Sequence, residues 1–201
     1  RMILVWDLDQ RKIITTFDEH QAELTQVRFL ENGQKLLSVS WDGYLIVRDL
    51  DPFHPNEHDL REIDILNFAT NTSQTEMVVV GNKHLGLWNL EGTLRPLNAQ
   101  ALDPSKTTSQ DNLYRCVIAL PSDAGWLVGD QSSMIHHYVR KGDELVEVLP
   151  ARKSKNYEIT DLAMHPDGKR FVSVGKAQKP REQVKREVEL WNLENLEPTR
   201  L

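Results

Sequence analysis

Five times along this chain a short apolar strand closes on tryptophan or on a residue standing in its place. The stretches are "MILVWDL" (2–8), "YLIVRDL" (44–50), "HLGLWNL" (84–90), "MIHHYVR" (134–140) and "EVELWNL" (187–193). The marked position falls at Trp6, Arg48, Trp88, Tyr138 and Trp191, at intervals of 42, 40, 50 and 53 residues. Four of the stretches follow a strand, a Gly/Asn/Asp-bearing turn and a second strand: residues 24–40, 63–81, 114–129 and 159–175. A period on the order of 40–50 residues means that one supersecondary unit is copied, and that each copy buries its apolar face against the next.

Within a copy the apolar residues alternate and tight turns recur, while no segment carries an apolar stripe of helical period. Each copy is therefore three or four short antiparallel strands, and the chain reads as all-β. With 201 residues, 39% hydrophobic and 27% charged, it has ample material for a core. No apolar run approaches the roughly 18–20 residues of a membrane span, and no membrane association is expected. The sequence opens on Arg1 inside an apolar strand, with no basic start and secretory core ahead of it, so a piece of a longer chain is expected. Cys116 is the single cysteine, which fits a reducing, cytoplasmic setting.

These motifs resemble the WD40 family of β-propellers. The resemblance rests on Trp6-Asp7, on Glu19-His20 where the family has Gly-His, and on Asp42-Gly43 in an inner turn. "HPDGK" (165–169), Trp88-Asn89 and Trp191-Asn192 complete it. It implies a WD40-type β-propeller of four-stranded antiparallel blades in an incomplete ring. Residues 1–17 would be strands c and d of a partial blade. Full blades would follow at 24–59, 63–99, 113–149 and 159–201, with strand d of the first in doubt because "DPFHPNEHD" (51–59) holds two prolines. The remaining blades would come from the same longer chain, since an open blade edge exposes unpaired backbone.

The resemblance also implies a structural network of His20, Ser38, Asp42 and Arg48 in the first full blade. Arg48 occupies the tryptophan place, so the network is rewired, and a pair with Asp42 is one rewiring open to it. Asn82 and Ser132 stand at the corresponding Asp place of the next two blades. On the face called the top, the residue before strand a falls at Glu23, Glu62, Tyr114 and Glu158, a place often in contact with ligands. Trp41 takes another such place. Carboxylates there suit a Lys- or Arg-bearing peptide, and an exposed indole suits anchoring. The long connections 99–112, 150–158 and 177–187 are expected on that same face.

The net charge of −6 conceals a segregation. Residues 151–186 hold ten basic and four acidic residues, a segment charge of +6, which leaves −12 on the rest. Arg152, Lys153, Lys155, Lys179, Arg181, Lys185 and Arg186 form the candidate basic patch, fit for an acidic protein or a nucleic-acid backbone. The aromatic interleaving that base stacking needs is thin, Tyr157 alone.

No phosphate loop, nucleophile elbow or paired carboxylates are recognisable, and no cofactor or enzymatic activity is expected. His136 and His137 are adjacent on a strand, so they point to opposite faces and cannot hold one metal. The leading expectation is a non-catalytic scaffold or sensor module that binds a protein or peptide on its top face. The alternative is a nucleic-acid or acidic-partner contact module through the basic loops of the last blade.

Overall fold

In the computed structural model the described residues are 1–30, 33–50, 57–61, 65–81, 84–90, 95–98, 113–153, 157–177 and 186–198. Among them no α-helix forms, so none is long and apolar enough to cross a membrane. The chain divides into two compact units, residues 1–65 and 66–201.

The first unit opens with a two-stranded hairpin, β1 (Ile3–Asp7) and β2 (Lys12–Phe17), paired antiparallel with a bulge at Val5/Trp6. Two strands offer no second layer, and Trp6 stays 52% exposed. A four-stranded antiparallel sheet follows: β3 (Leu24–Leu30), β4 (Lys35–Ser40), β5 (Tyr44–Asp49) and β6 (Glu57–Arg61), in sequential order. β6 forms the fourth strand just after the two prolines, pairing Arg48 with Glu57 through Tyr44 with Arg61. The central strands β4 and β5 are apolar on both faces and almost wholly buried, with Leu37, Val39 and Leu45 at the centre. Gly43 sits at φ 83° in the β4–β5 turn, a conformation that a side chain disfavours.

The second unit stacks three more sheets of the same kind. The first of them holds β7 (Ile65–Thr70), β8 (Glu76–Gly81), β9 (His84–Asn89) and β10 (Arg95–Asn98). The middle one holds β11 (Tyr114–Ala119), β12 (Trp126–Asp130), β13 (Met134–Lys141) and β14 (Glu144–Lys153). The last holds β15 (Tyr157–Met164), β16 (Arg170–Ala177), β17 (Arg186–Asn192) and β18 (Glu197–Pro198).

Alternation along each strand gives the middle sheet two apolar faces. One carries Tyr114, Val117, Trp126, Val128 and Tyr138 against Val78, Val80, Leu85 and Leu87 of the preceding sheet. The other carries Cys116, Leu127 and Ile135 against Ile159, Leu162, Phe171 and Trp191 of the last. The first strand of the middle sheet lies between its neighbours: β11 packs on β8 of one and on β15 of the other. The close approach needs Gly129, where a Cβ would lie 2.4 Å from Ile159 Cγ2 and 2.8 Å from Cys116 Sγ. Polar clamps reinforce the stack, with Arg140 of β13 paired to Glu76 of β8 and Arg115 of β11 paired to Glu158 of β15 at 2.8 Å. Between turns, Asp123 accepts hydrogen bonds from the Thr72 amide at 2.7 Å and the Ser73 hydroxyl at 3.1 Å.

Candidate functional site

Trp41 stands on the β4–β5 turn, and the residues beneath it fix that turn from both sides. The Asp42 carboxylate accepts hydrogen bonds from the amides of Gln21 (2.7 Å) and Tyr44 (3.0 Å). His20 Nδ1 lies 3.1 Å from Asp42 Oδ2, and because an ionised carboxylate only accepts, Nδ1 carries the proton of that bond. On the other side of the ring, His20 Nε2 shares a hydrogen bond with Ser38 Oγ at 2.8 Å. Burial raises the Asp42 pKa, but the amides of Tyr44 and Gln21 and the His20 side chain outweigh it and hold the carboxyl below its ordinary value. The Trp41 amide itself donates to the Glu23 carbonyl at 2.9 Å.

Of the four network residues, Arg48 takes an arrangement of its own. Its Nε and Nη2 both meet Glu19 Oε1 at 3.1 Å. Glu19 stands where the resemblance places glycine and Arg48 where it places tryptophan, and the two departures meet as one ion pair. In the last sheet the tryptophan is present, and Trp191 Nε1 donates to Ser173 Oγ at 2.8 Å, with the indole stacked on Phe171. In the first four-stranded sheet, where Arg48 replaces the tryptophan, the Ser38 hydroxyl meets His20 instead.

Among the top-face candidates, Trp41 is 58% exposed and Glu23 is exposed beside it. Tyr114 has no exposed surface. Its hydroxyl lies 3.4 Å from that of Tyr138 within the core, so it is withdrawn from the surface contacts expected of it. Glu158 is tied to Arg115. Glu62, Lys155, Lys179, Arg181, Lys185 and Asn82 lie outside the described residues, as do the connections 99–112 and 178–185. Arg152 and Lys153 belong to β14 and Arg186 to β17, so residues 150–153 are strand backbone rather than part of a loop.

The middle sheet of the second unit holds a polar centre that the spacing of motifs did not disclose. His136 on β13 is buried between two carboxylates, with Nε2 at 3.2 Å from Asp130 Oδ2 and Nδ1 at 2.9 Å from Glu147 Oε1. Asp130, at the end of β12, also accepts the Met134 amide at 2.8 Å, so it does here what Asp42 does in the first sheet, two places before Ser132. Tyr114 meets the His136 ring edge-on and Tyr138 stacks beside it. Burial disfavours the imidazolium, but the hydrogen bonds to Asp130 and Glu147 outweigh it and push the His136 pKa up to about 9. His137, on the opposite face, has its pKa lowered by burial. Among the described residues no group of three His, Cys, Asp or Glu side chains is placed to hold a metal ion.

A model of the family described as "WD domain, G-beta repeat" matches residues 11–49, which take in His20, Ser38, Trp41 and Asp42. Retinoblastoma-binding-like protein E of Dictyostelium discoideum is 35% identical over a 75-residue alignment that takes in 29% of this chain and 14% of that protein. The crystal structure of the β-propeller domain of Cps50 (Swd1) from Myceliophteria thermophila is similar in fold, with a TM-score of 0.69 at 13% identity, covering 95% of this chain and 66% of that one. The chain thus spans less than two thirds of either. Repeat motif, antiparallel four-stranded sheets and propeller likeness agree: residues 11–49 carry a WD40 repeat, and the fold is that of an incomplete β-propeller.

Proposed function

We propose that this chain is a non-catalytic interaction scaffold, or the sensing part of a larger protein, whose partner is a protein or peptide bound at the turn bearing Trp41. One observation carries the reading: a large indole, 58% exposed, stands on a turn whose backbone is clamped by Asp42, His20 and the Glu23 carbonyl. An exposed aromatic on a rigid support loses little conformational freedom on binding, which is what interface anchors have in common. Glu23 beside it favours a partner segment with Lys or Arg. WD40 propellers in general serve as protein-interaction scaffolds, and a relative whose name describes it as retinoblastoma-binding-like supports the same class of partner.

An array of short peptides, basic and neutral, probed with the wild-type chain tests this. Trp41→Ala weakens the captured peptide at least tenfold, and binding changes little between 50 and 300 mM salt. Binding that survives Trp41→Ala unchanged overturns the reading. The charge segregation favours a second reading, contact of an acidic protein or nucleic acid with the basic segment 151–186. That contact weakens steeply with salt and is lost when Lys153, Lys155, Arg181 and Lys185 are neutralised.

A further inference from the structure

Strand β14 is held to its sheet in an unusual way. Its ladder to β13 pairs Lys141 with Glu144 through Tyr138 with Glu147, and then skips. His137 pairs with Leu149 and Ile135 with Arg152, so β14 carries an extra residue on each side of the His137–Leu149 pair. Bulges remove ladder hydrogen bonds and bend the strand that carries them. At this interruption Glu147 reaches across to His136, and His136 reaches on to Asp130 at the end of β12. One imidazolium therefore ties three consecutive strands where the backbone ladder is weakest. Beyond the interruption lie Leu149–Lys153, with Arg152 and Lys153 at the far end.

We propose that Asp130, His136 and Glu147 form a proton-controlled latch, in which the imidazolium pins β14 and its loss in alkali frees the stretch Leu149–Lys153 with its two basic residues. A doubly protonated ring donates to both carboxylates. A neutral ring keeps one N–H, so one carboxylate then faces a lone pair and is repelled from it. Asp130 has almost no exposed side-chain surface and is held by the Met134 amide, whereas the Glu147 side chain is 39% exposed. Glu147 is the partner that can leave for water, and β14 goes with it.

The surroundings leave the latch as the titrating device. The facing groups on β11 and β13 are Tyr114 and Tyr138, and burial raises the Tyr138 pKa far beyond the range in question. β8 and β9 cover this side with Val78, Val80, Leu85 and Leu87. Of the charged or titratable groups on the packed elements, Glu76 of β8 pairs with Arg140 and Glu158 of β15 pairs with Arg115. His84 of β9, Tyr157 and Asp161 of β15, and Cys116 of β11, whose thiol is pushed up by burial, are the others.

The test follows the ring carbon-bound protons of His136 and the solvent exchange of backbone amides in the intact chain between pH 6 and 10. Rates are divided by their intrinsic pH dependence. His136 titrates near 9, and the amides of residues 149 and 151–153 lose at least tenfold in protection across that titration while amides 126–130 keep theirs. Glu147→Gln lowers the midpoint by a unit or more and leaves 149–153 poorly protected already at pH 7.5. Constant protection of 149–153 in the wild type overturns the latch. So does loss spread evenly over the sheet, or a Glu147→Gln protein that titrates and exchanges like the wild type. Should that variant not fold, the wild-type comparison decides alone.

Discussion

The Ser38 hydroxyl lies 2.8 Å from His20 Nε2, and both residues are buried. Ser38→Ala leaves the ring nitrogen without its partner and costs on the order of 1–3 kcal/mol. Urea denaturation followed at Trp41 measures it, with an unchanged m-value expected, because the loss is local. Glu19 and Arg48 offer a second test at this scale. Each single substitution, Glu19→Gln or Arg48→Met, breaks this ion pair. The double variant recovers part of the loss, with a coupling of about 0.5–3 kcal/mol in a double-mutant cycle. Additive losses would show that the two departures from the repeat pattern are independent. His20, Ser38 and Asp42 were legible from motif spacing because the family places them by position. Glu19 was not, since a carboxylate at a glycine place announces nothing until the chain folds it against Arg48.

At the scale of strands and sheets, the contact between the middle and last sheets of the second unit turns on one missing side chain. Gly129→Ala places a Cβ 2.4 Å from Ile159 Cγ2, on a neighbouring strand that cannot turn aside as a flexible side-chain end could. Overpacking of this kind costs about 1–3 kcal/mol. The variant unfolds earlier in urea, and Ile159→Ala, which removes the clashing Cγ2, restores part of the loss. A glycine in an apolar strand reads from sequence as a weak place or a bulge, so its role as the contact between sheets appears only with the stack. The strands themselves were legible, because alternation and turn residues are local. β6 was the exception: Pro52 and Pro55 argue against a strand, but pairing begins at Glu57, past both rings. The triad in the middle sheet was illegible for a related reason. Adjacent histidines were weighed as metal ligands, while the partners of His136 come from the end of β12 and from β14, six and eleven residues away in opposite directions.

Over the whole molecule the two polar centres sit in different units and fail at opposite ends of the pH scale. The folded state lowers the Asp42 pKa, so Asp42 contributes stability that is present above its unfolded value of about 3.8 and is lost as pH falls through its lower folded value. His136 runs the other way. Its folded pKa of about 9 stands above the ordinary histidine value of 6.5, so its contribution is complete below 6.5, declines as pH rises, and is gone above 9. A shift of that size corresponds to an upper bound on the order of 3 kcal/mol. Alkali should therefore weaken the unit of residues 66–201 before the unit of residues 1–65. Amide exchange read separately over the two units, at pH 3, 7 and 10, measures this. His136→Gln removes the alkaline decline and leaves the acid one in place, because Gln carries no titrating proton and Asp42 lies in the other unit. A wild-type chain whose second unit is equally protected at pH 7 and pH 10 would mean that the two carboxylates around His136 do not hold its proton in the folded state.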